Sequence, residues 1–298
     1  LAADAKFELV SEKQILEIPG GGRRGFGALS PDGKSVLIIK QDGLTIRPLE
    51  SREEKEVLPQ AVTWATWSPD EKSVYYLRQG DQLWLRDLWR VGIESHKKEL
   101  LIKNAGGVST PTPLPSPDGK SLAFWRNRTL LLAGADGRNE RVLCQGCDAM
   151  WYGMVWSPDS SQILLITGPN PYGTGVTTLQ LLTAATGQVR NLTPWQGVVT
   201  SIVWPAWGSG LFLSLLQPDG GAGHDGRIWH LRLPNEERTQ VTFAPASYFG
   251  ILGATADSFS LVAGRMPPLP AQWDRLLLWF GVPYNPNVPH TVMLTLKK

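Results

Sequence analysis

The sequence predicts an all-β fold, a six-bladed β-propeller of four-stranded antiparallel blades, on three observations. The first is a recurring turn phrase: Ser30-Pro31-Asp32-Gly33-Lys34, Ser68-Pro69-Asp70-Glu71-Lys72, Ser116-Pro117-Asp118-Gly119-Lys120 and Ser157-Pro158-Asp159-Ser160-Ser161. The second is its spacing. With two weaker copies at Trp204-Pro205-Ala206-Trp207-Gly208-Ser209 and Ala254-Thr255-Ala256-Asp257-Ser258, the copies fall 38 to 50 residues apart, the length of a propeller blade and not of a helical solenoid repeat. The third is context: an apolar stretch precedes each strong copy and a β-rich run follows it. Proline presets the turn's φ, aspartate accepts backbone N–H groups, and glycine tolerates positive φ, so the same chemistry joins the same two strands each time.

The chain begins with strand-like segments at Phe7-Glu8-Leu9-Val10 and Gln14-Ile15-Leu16-Glu17-Ile18 that carry no turn phrase. A propeller must join its first blade to its last, so residues 7–18 are expected to close the ring beside the segment from His290 to Leu296, removing exposed sheet edges. Blades are expected to begin near residues 25, 62, 111, 152, 200 and 249, making residues 1–298 a single propeller domain. In the first blade, strands are placed at residues 25–29, 35–40, 44–49 and 54–58. The second places them at residues 62–67, 73–77, 82–87 and 97–102, with Gln79-Gly80-Asp81 as a hairpin turn. The third shows three clear strands at 122–125, 129–133 and 140–143. The fourth has four, at 153–156, 163–167, 177–182 and 189–192, and the fifth has four at 201–204, 211–215, 227–233 and 239–242. The sixth is less regular. The residue before the turn is Leu29, Trp67, Pro115, Trp156, Trp204 or Ala254, and Trp67, Trp156 and Trp204 are expected to fill the space between sheets.

Composition narrows the function. Apolar residues at 42% suffice for an extended core, and 31 glycines with 23 prolines supply its turns. The formal charge of +2 gives no pull toward nucleic acid, and no apolar run is long enough to span a bilayer. Among the 4 histidines, none has a neighbour at a metal-ligand spacing, and no Gly-x-Ser-x-Gly elbow, Walker loop or kinase motif occurs. No catalytic residue, metal or cofactor is assigned. Cys144-Gln145-Gly146-Cys147 permits a tight disulfide, a redox couple or half of a metal site. A local disulfide in an oxidising compartment is the preferred reading, since neither a second Cys pair nor a thioredoxin-like context accompanies it.

The Ser-Pro-Asp-Gly-Lys phrases with runs such as Ser35-Val36-Leu37-Ile38 and Ser121-Leu122-Ala123-Phe124 resemble the WD40-like propeller repeats of the TolB type, over roughly residues 25 to 265. The later half, through Arg227-Ile228-Trp229 and Tyr248-Phe249-Gly250, is similar to propellers at the C-terminal end of some bacterial membrane-bound serine/threonine kinases and regulators. That resemblance implies a periplasmic or extracellular module, tethered through a parent protein or complex, that binds a protein partner or senses a ligand. Two departures stand out: Trp207 replaces the aspartate, and a proline-rich insertion follows Met266. The α/β domain that accompanies the TolB propeller has no counterpart here.

Loops entering the innermost strands gather at one mouth of a propeller channel. Arg23, Arg24, Trp64, Trp151, Tyr152, Tyr248 and Phe249 are therefore the candidate binding residues, aromatic and arginine types being enriched at hot spots; the alternative is that the aromatics cap the channel. Residues 269–284 are unusually apolar for a loop, which makes Trp273, Trp279 and Tyr284 a candidate docking surface. The expected function is a non-catalytic interaction or sensing module. The alternatives are an enzyme or accessory propeller, such as a serine peptidase gate or a metal-dependent lactonase-like hydrolase, and a structural subunit of a membrane-associated complex.

Overall fold

The computed structural model describes residues 7–17, 25–107, 112–147, 153–167, 176–207, 210–218, 224–243, 247–255, 260–266 and 290–297. Among these every regular element is a strand. Spatial proximity of the backbone groups the chain into two compact units. One comprises residues 23–167 and 179–192, the other residues 1–22, 168–178 and 193–298.

The first of these units contains four successive antiparallel sheets. Sheet one is β2 (Gly25–Leu29), β3 (Ser35–Ile39), β4 (Leu44–Pro48) and β5 (Lys55–Leu58), in that order. Sheet two is β6 (Trp64–Trp67), β7 (Ser73–Gln79), β8 (Leu85–Gly92) and β9 (Lys98–Gly107). Sheet three is β10 (Leu114–Pro115), β11 (Ser121–Arg126), β12 (Thr129–Gly134) and β13 (Arg141–Gln145), so the missing inner strand of the third repeat is a two-residue element ending on its proline. Sheet four is β14 (Met154–Trp156), β15 (Gln162–Thr167), β16 (Val176–Thr183) and β17 (Val189–Asn191), with the division between units falling inside β16.

The other unit contains β18 (Trp195–Gln196), which pairs with the start of β16, and two more sheets. Sheet five is β19 (Val198–Val203), β20 (Gly210–Pro218), β21 (His224–Arg232) and β22 (Glu237–Gln240). Sheet six is ordered β1 (Glu8–Glu17), β25 (His290–Lys297), β24 (Ser260–Met266) and β23 (Ser247–Ala254). The N-terminal strand thus completes the last blade beside the C-terminal one, from Glu8 opposite Lys297 to Glu17 opposite His290. Six four-stranded antiparallel blades, the last completed by the first strand, make the fold a six-bladed β-propeller.

The turn phrase works through its serine as much as its aspartate. In the second copy Ser68 Oγ donates to Asp70 Oδ1 at 2.6 Å and accepts the Ser73 N–H at 2.9 Å, while Asp70 Oδ1 accepts the Lys72 N–H at 3.1 Å. The first, third and fourth copies repeat this pattern. Bonds from the serine hydroxyl hold the carboxyls of Asp70, Asp118 and Asp159 below the usual carboxylate range. For Asp32, burial pushes the carboxyl up, but the Ser30 hydroxyl and Lys34 amide outweigh it and the pKa falls.

The fourth position of the phrase is left-handed in all four copies, at φ 74°, 59°, 71° and 61° for Gly33, Glu71, Gly119 and Ser160. Glu71 and Ser160 accept the strain of that region and return a contact. Glu71 Oε1 accepts the Asp32 N–H of the preceding copy at 2.6 Å, and Ser160 Oγ accepts the Asp118 N–H at 3.0 Å. These side chains latch neighbouring blades turn to turn.

Trp67 and Trp156 are buried and tie sheets together, their indole N–H groups donating to Ala28 O at 3.0 Å and Leu114 O at 3.2 Å. The fifth repeat departs from expectation. Trp204 is only half-buried, and Trp207, in the aspartate slot, makes the equivalent bond, to Thr255 O at 2.7 Å. Its ring packs on Phe7 and Phe212 at centroid distances of 5.7 and 5.6 Å, so the missing carboxylate is exchanged for an aromatic contact with the closing segment.

Candidate functional site

The hairpin joining β7 and β8 carries the most exposed large apolar side chains of the second blade. The turn expected at residues 79–81 is longer in the structure. Gln79 pairs with Arg86, the Gly80 N–H donates to Leu85 O at 3.0 Å, and β8 begins at Leu85 instead of residue 82. Leu83 and Trp84 are thereby lifted out of the sheet, 70% and 60% exposed.

Register explains the shift. Asp87 is 8% exposed, and its Oδ1 accepts the N–H of Asn104 at 2.9 Å where β9 bulges, Asn104 having a φ of 54°. That anchor fixes which residues of β8 pair with β7. It also fixes the first turn residue, because a Cβ on Gly80 would meet Asp87 Oδ1 at 3.0 Å. A second anchor shapes the tip: Arg86 Nη1 donates to Leu83 O at 2.8 Å and Leu85 O at 2.9 Å.

Charged side chains stand on the strands that adjoin the tip. Arg78 is exposed opposite Asp87, and Lys103 lies 3.6 Å from Asp81. From the third blade, Arg126 donates to Lys103 O at 3.0 Å and Asn104 O at 3.2 Å while pairing with Glu140 at 2.6 Å. An exposed indole and leucine on a hydrogen-bonded turn form the kind of surface that protein interfaces use as an anchor.

Of the residues proposed from sequence, Trp64, Tyr248 and Phe249 fall among the described ones. Trp64 opens β6 at this same end of its blade, but it is half-buried against the core of Tyr75, Leu77, Leu88 and Phe124. Tyr248 on β23 is 1% exposed, so its ring is core and not a presented surface. Its hydroxyl donates to Glu12 Oε2 at 2.5 Å, and Arg265 binds Glu12 Oε1 at 2.7 Å, which ties the closing strand to the blade it completes. Burial first, then the Glu12 carboxylate, push the phenol's pKa well up. Phe249 lies on the same strand. Arg23, Arg24, Trp151, Tyr152, Trp273, Trp279 and Tyr284 fall outside the described residues. Cys144 and Cys147 are joined by a disulfide with Cα atoms 5.9 Å apart. The sequence reading missed Leu83 and Trp84 because it began the strand too early; the signal was the anchor-forming Asp87, which a solvent-facing strand position would not require.

Among the described residues, no group of three or more His, Cys, Asp or Glu side chains gathers to hold a metal ion. His230 is 2% exposed between Phe7 and Phe212, at ring distances of 4.9 and 4.8 Å, and its Nε2 makes no hydrogen bond. Burial, aided by the charge of Arg232, lowers its pKa to about 4, so it is a neutral core side chain at physiological pH.

No protein-family model matches the chain, and neither does any curated protein. Solved structures do share its architecture. TolB from Acinetobacter baumannii aligns with a TM-score of 0.55 at 14% identity, over 93% of this chain and 64% of that one. The fold is a TolB-like β-propeller. The same propeller is similar to an oligogalacturonate lyase in complex with manganese, with a TM-score of 0.59 at 15% identity over 91% of this chain and 76% of that chain. It is also similar to the β-propeller domain of the trilobed protease from Pyrococcus furiosus, with a TM-score of 0.57 at 9% identity, covering 82% and 78%. Identities this low show a shared fold and leave activity to the site.

Proposed function

We propose that this TolB-like propeller is a non-catalytic interaction module that engages a protein partner through the β7–β8 tip. The observation that carries this reading is the exposure of Leu83 and Trp84, 70% and 60%, on a turn whose backbone is fixed by Asp87 and Arg86. A turn whose backbone is already held loses less entropy on binding than a free loop would. Two further features agree with it: the phrase aspartates are engaged by their own turns, and the buried His230 faces aromatic rings in place of a reactive group. The Cys144–Cys147 disulfide supports an extracytoplasmic, oxidising location in a bacterium. Trp273, Trp279 and Tyr284 remain a second candidate surface on sequence grounds.

The test is affinity capture from an envelope extract with the unaltered chain and a Leu83→Ser/Trp84→Ala variant, compared by quantitative mass spectrometry. A partner lost by about tenfold or more, as expected for an aromatic anchor, with melting temperature unchanged, supports the reading. Equal recovery of every captured protein by the variant refutes it.

A further inference from the structure

At the other end of β7, about 20 Å away for a seven-residue strand, the latching between turn phrases is interrupted. The first copy is latched to the second by Glu71 and the third to the fourth by Ser160. Between the second and third, the residue at the latching position is Gly119. It shares the left-handed φ, at 71°, but has no side chain, and a Cβ placed there would meet nothing within 4 Å. Among the described residues, no side chain of the third copy meets the Asp70 N–H as Glu71 meets that of Asp32. A groove of about 420 Å³ occupies the position, lined by Pro69, Asp70, Tyr75, Arg90, Asp118 and Gly119 with their neighbours.

We propose that this groove is a binding site for an uncharged, polyhydroxylated small molecule of saccharide size, whose oxygen takes the place of the missing latch. The two intact latches show what the position accepts, an oxygen that receives a backbone N–H. The walls ask for donors as well: Asp70 and Asp118 take their turn bonds on Oδ1, which leaves the second carboxylate oxygen of each as an acceptor toward the groove. Hydroxyl groups satisfy both demands, since each donates and accepts. An anion fits poorly. It would face two carboxylates, while the nearby cations are already engaged, Lys120 lying 3.7 Å from Asp118 and Arg90 pairing with Glu99 at 2.6 Å and sharing a hydrogen bond with the Tyr75 hydroxyl. The prolines of the two phrases supply apolar walls, and the volume lies within the range of small-molecule pockets.

The site is independent of the β7–β8 tip, so either can fail without the other. The experiment is an amide-resolved NMR titration of the whole chain with maltose, cellobiose and trehalose, and separately with glucuronate. Saturable shifts centred on the Asp70 and Gly119 amides are expected with at least one neutral disaccharide and not with glucuronate. Gly119→Ser, which supplies a hydroxyl where Ser160 has one, should abolish them, whereas Gly119→Ala should retain them. The proposal is overturned by the absence of saturable shifts with all three disaccharides in the unaltered chain, by an equal response to glucuronate, or by shifts that persist in a folded Gly119→Ser protein. Loss of the shifts in a folded Gly119→Ala protein also overturns it, since the backbone and not the missing acceptor would then be responsible.

Discussion

Acid should loosen this propeller through His230 before it reaches any carboxylate. The ring is enclosed by Phe7 from the N-terminal segment and Phe212 from β20, with the charge of Arg232 nearby. Its folded pKa of about 4 lies below the ordinary 6.5. For a base lowered in this way the stabilisation is complete above about 6.5 and is lost as the pH falls toward 4, because only the unfolded chain takes up the proton in that window. At about 1.4 kcal/mol per pH unit the whole effect is about 3 kcal/mol, of which about 2 kcal/mol is lost by about pH 5. The lowered phrase carboxylates act in a different window, since their contribution is present above 3.8 and is lost below it. The assay is urea denaturation of the unaltered chain and His230→Leu at about pH 8 and about pH 5. Relative to the unaltered chain, the variant should gain about 2 kcal/mol between the two pH values, with the carboxylates common to both proteins cancelling. Parallel pH profiles would show that His230 titrates as an ordinary histidine and that its enclosure by the two rings is not retained in solution.

Three further outcomes follow from the latches and cross-links. Glu71→Ala should cost about 1–2 kcal/mol by deleting the acceptor for the Asp32 N–H, and Glu71→Gly about 1 kcal/mol less, because glycine relieves the left-handed backbone; an alanine variant as stable as the unaltered chain in chemical denaturation would contradict the latch, and a larger loss with glycine would contradict the backbone strain. Trp156→Phe should destabilise more than Trp125→Phe, by about 1 kcal/mol, since Trp156 donates to Leu114 O whereas the buried Trp125 indole N–H has no partner; calorimetric melting of both variants decides this. Removing the disulfide with Cys144→Ser/Cys147→Ser should cost at most about 2 kcal/mol because the loop it closes is so short; a much larger drop in denaturation midpoint would mean the bridge holds more than its own turn.

The blade plan was legible because its determinants are contiguous. Serine, proline and aspartate at fixed offsets close one turn within six residues, and the apolar runs on either side pair locally, so the strand positions of blades one, four and five follow from the chain itself. The closing strand could also be anticipated, because an orphan strand at each end of a propeller has one place to pair. The surface proposed for binding was harder to see. Tyr248 has the composition of a binding residue, yet Glu12 and Arg265, more than 200 positions distant in one case, draw it into the core.

The chain alone therefore determined the repeat, its turns and the number of sheets, since these depend on hydrogen bonds and side-chain alternation between near neighbours. Only the tertiary structure decided which side chains cross between repeats. Glu71 and Ser160 bridge turns about 40 residues apart, Gly119 leaves one such bridge unmade, Trp207 replaces Trp204 as the indole donor, and Asp87 pushes Trp84 into solvent. Such contacts depend on the distance between two separately folded sheets, a quantity that no local pattern of residues encodes.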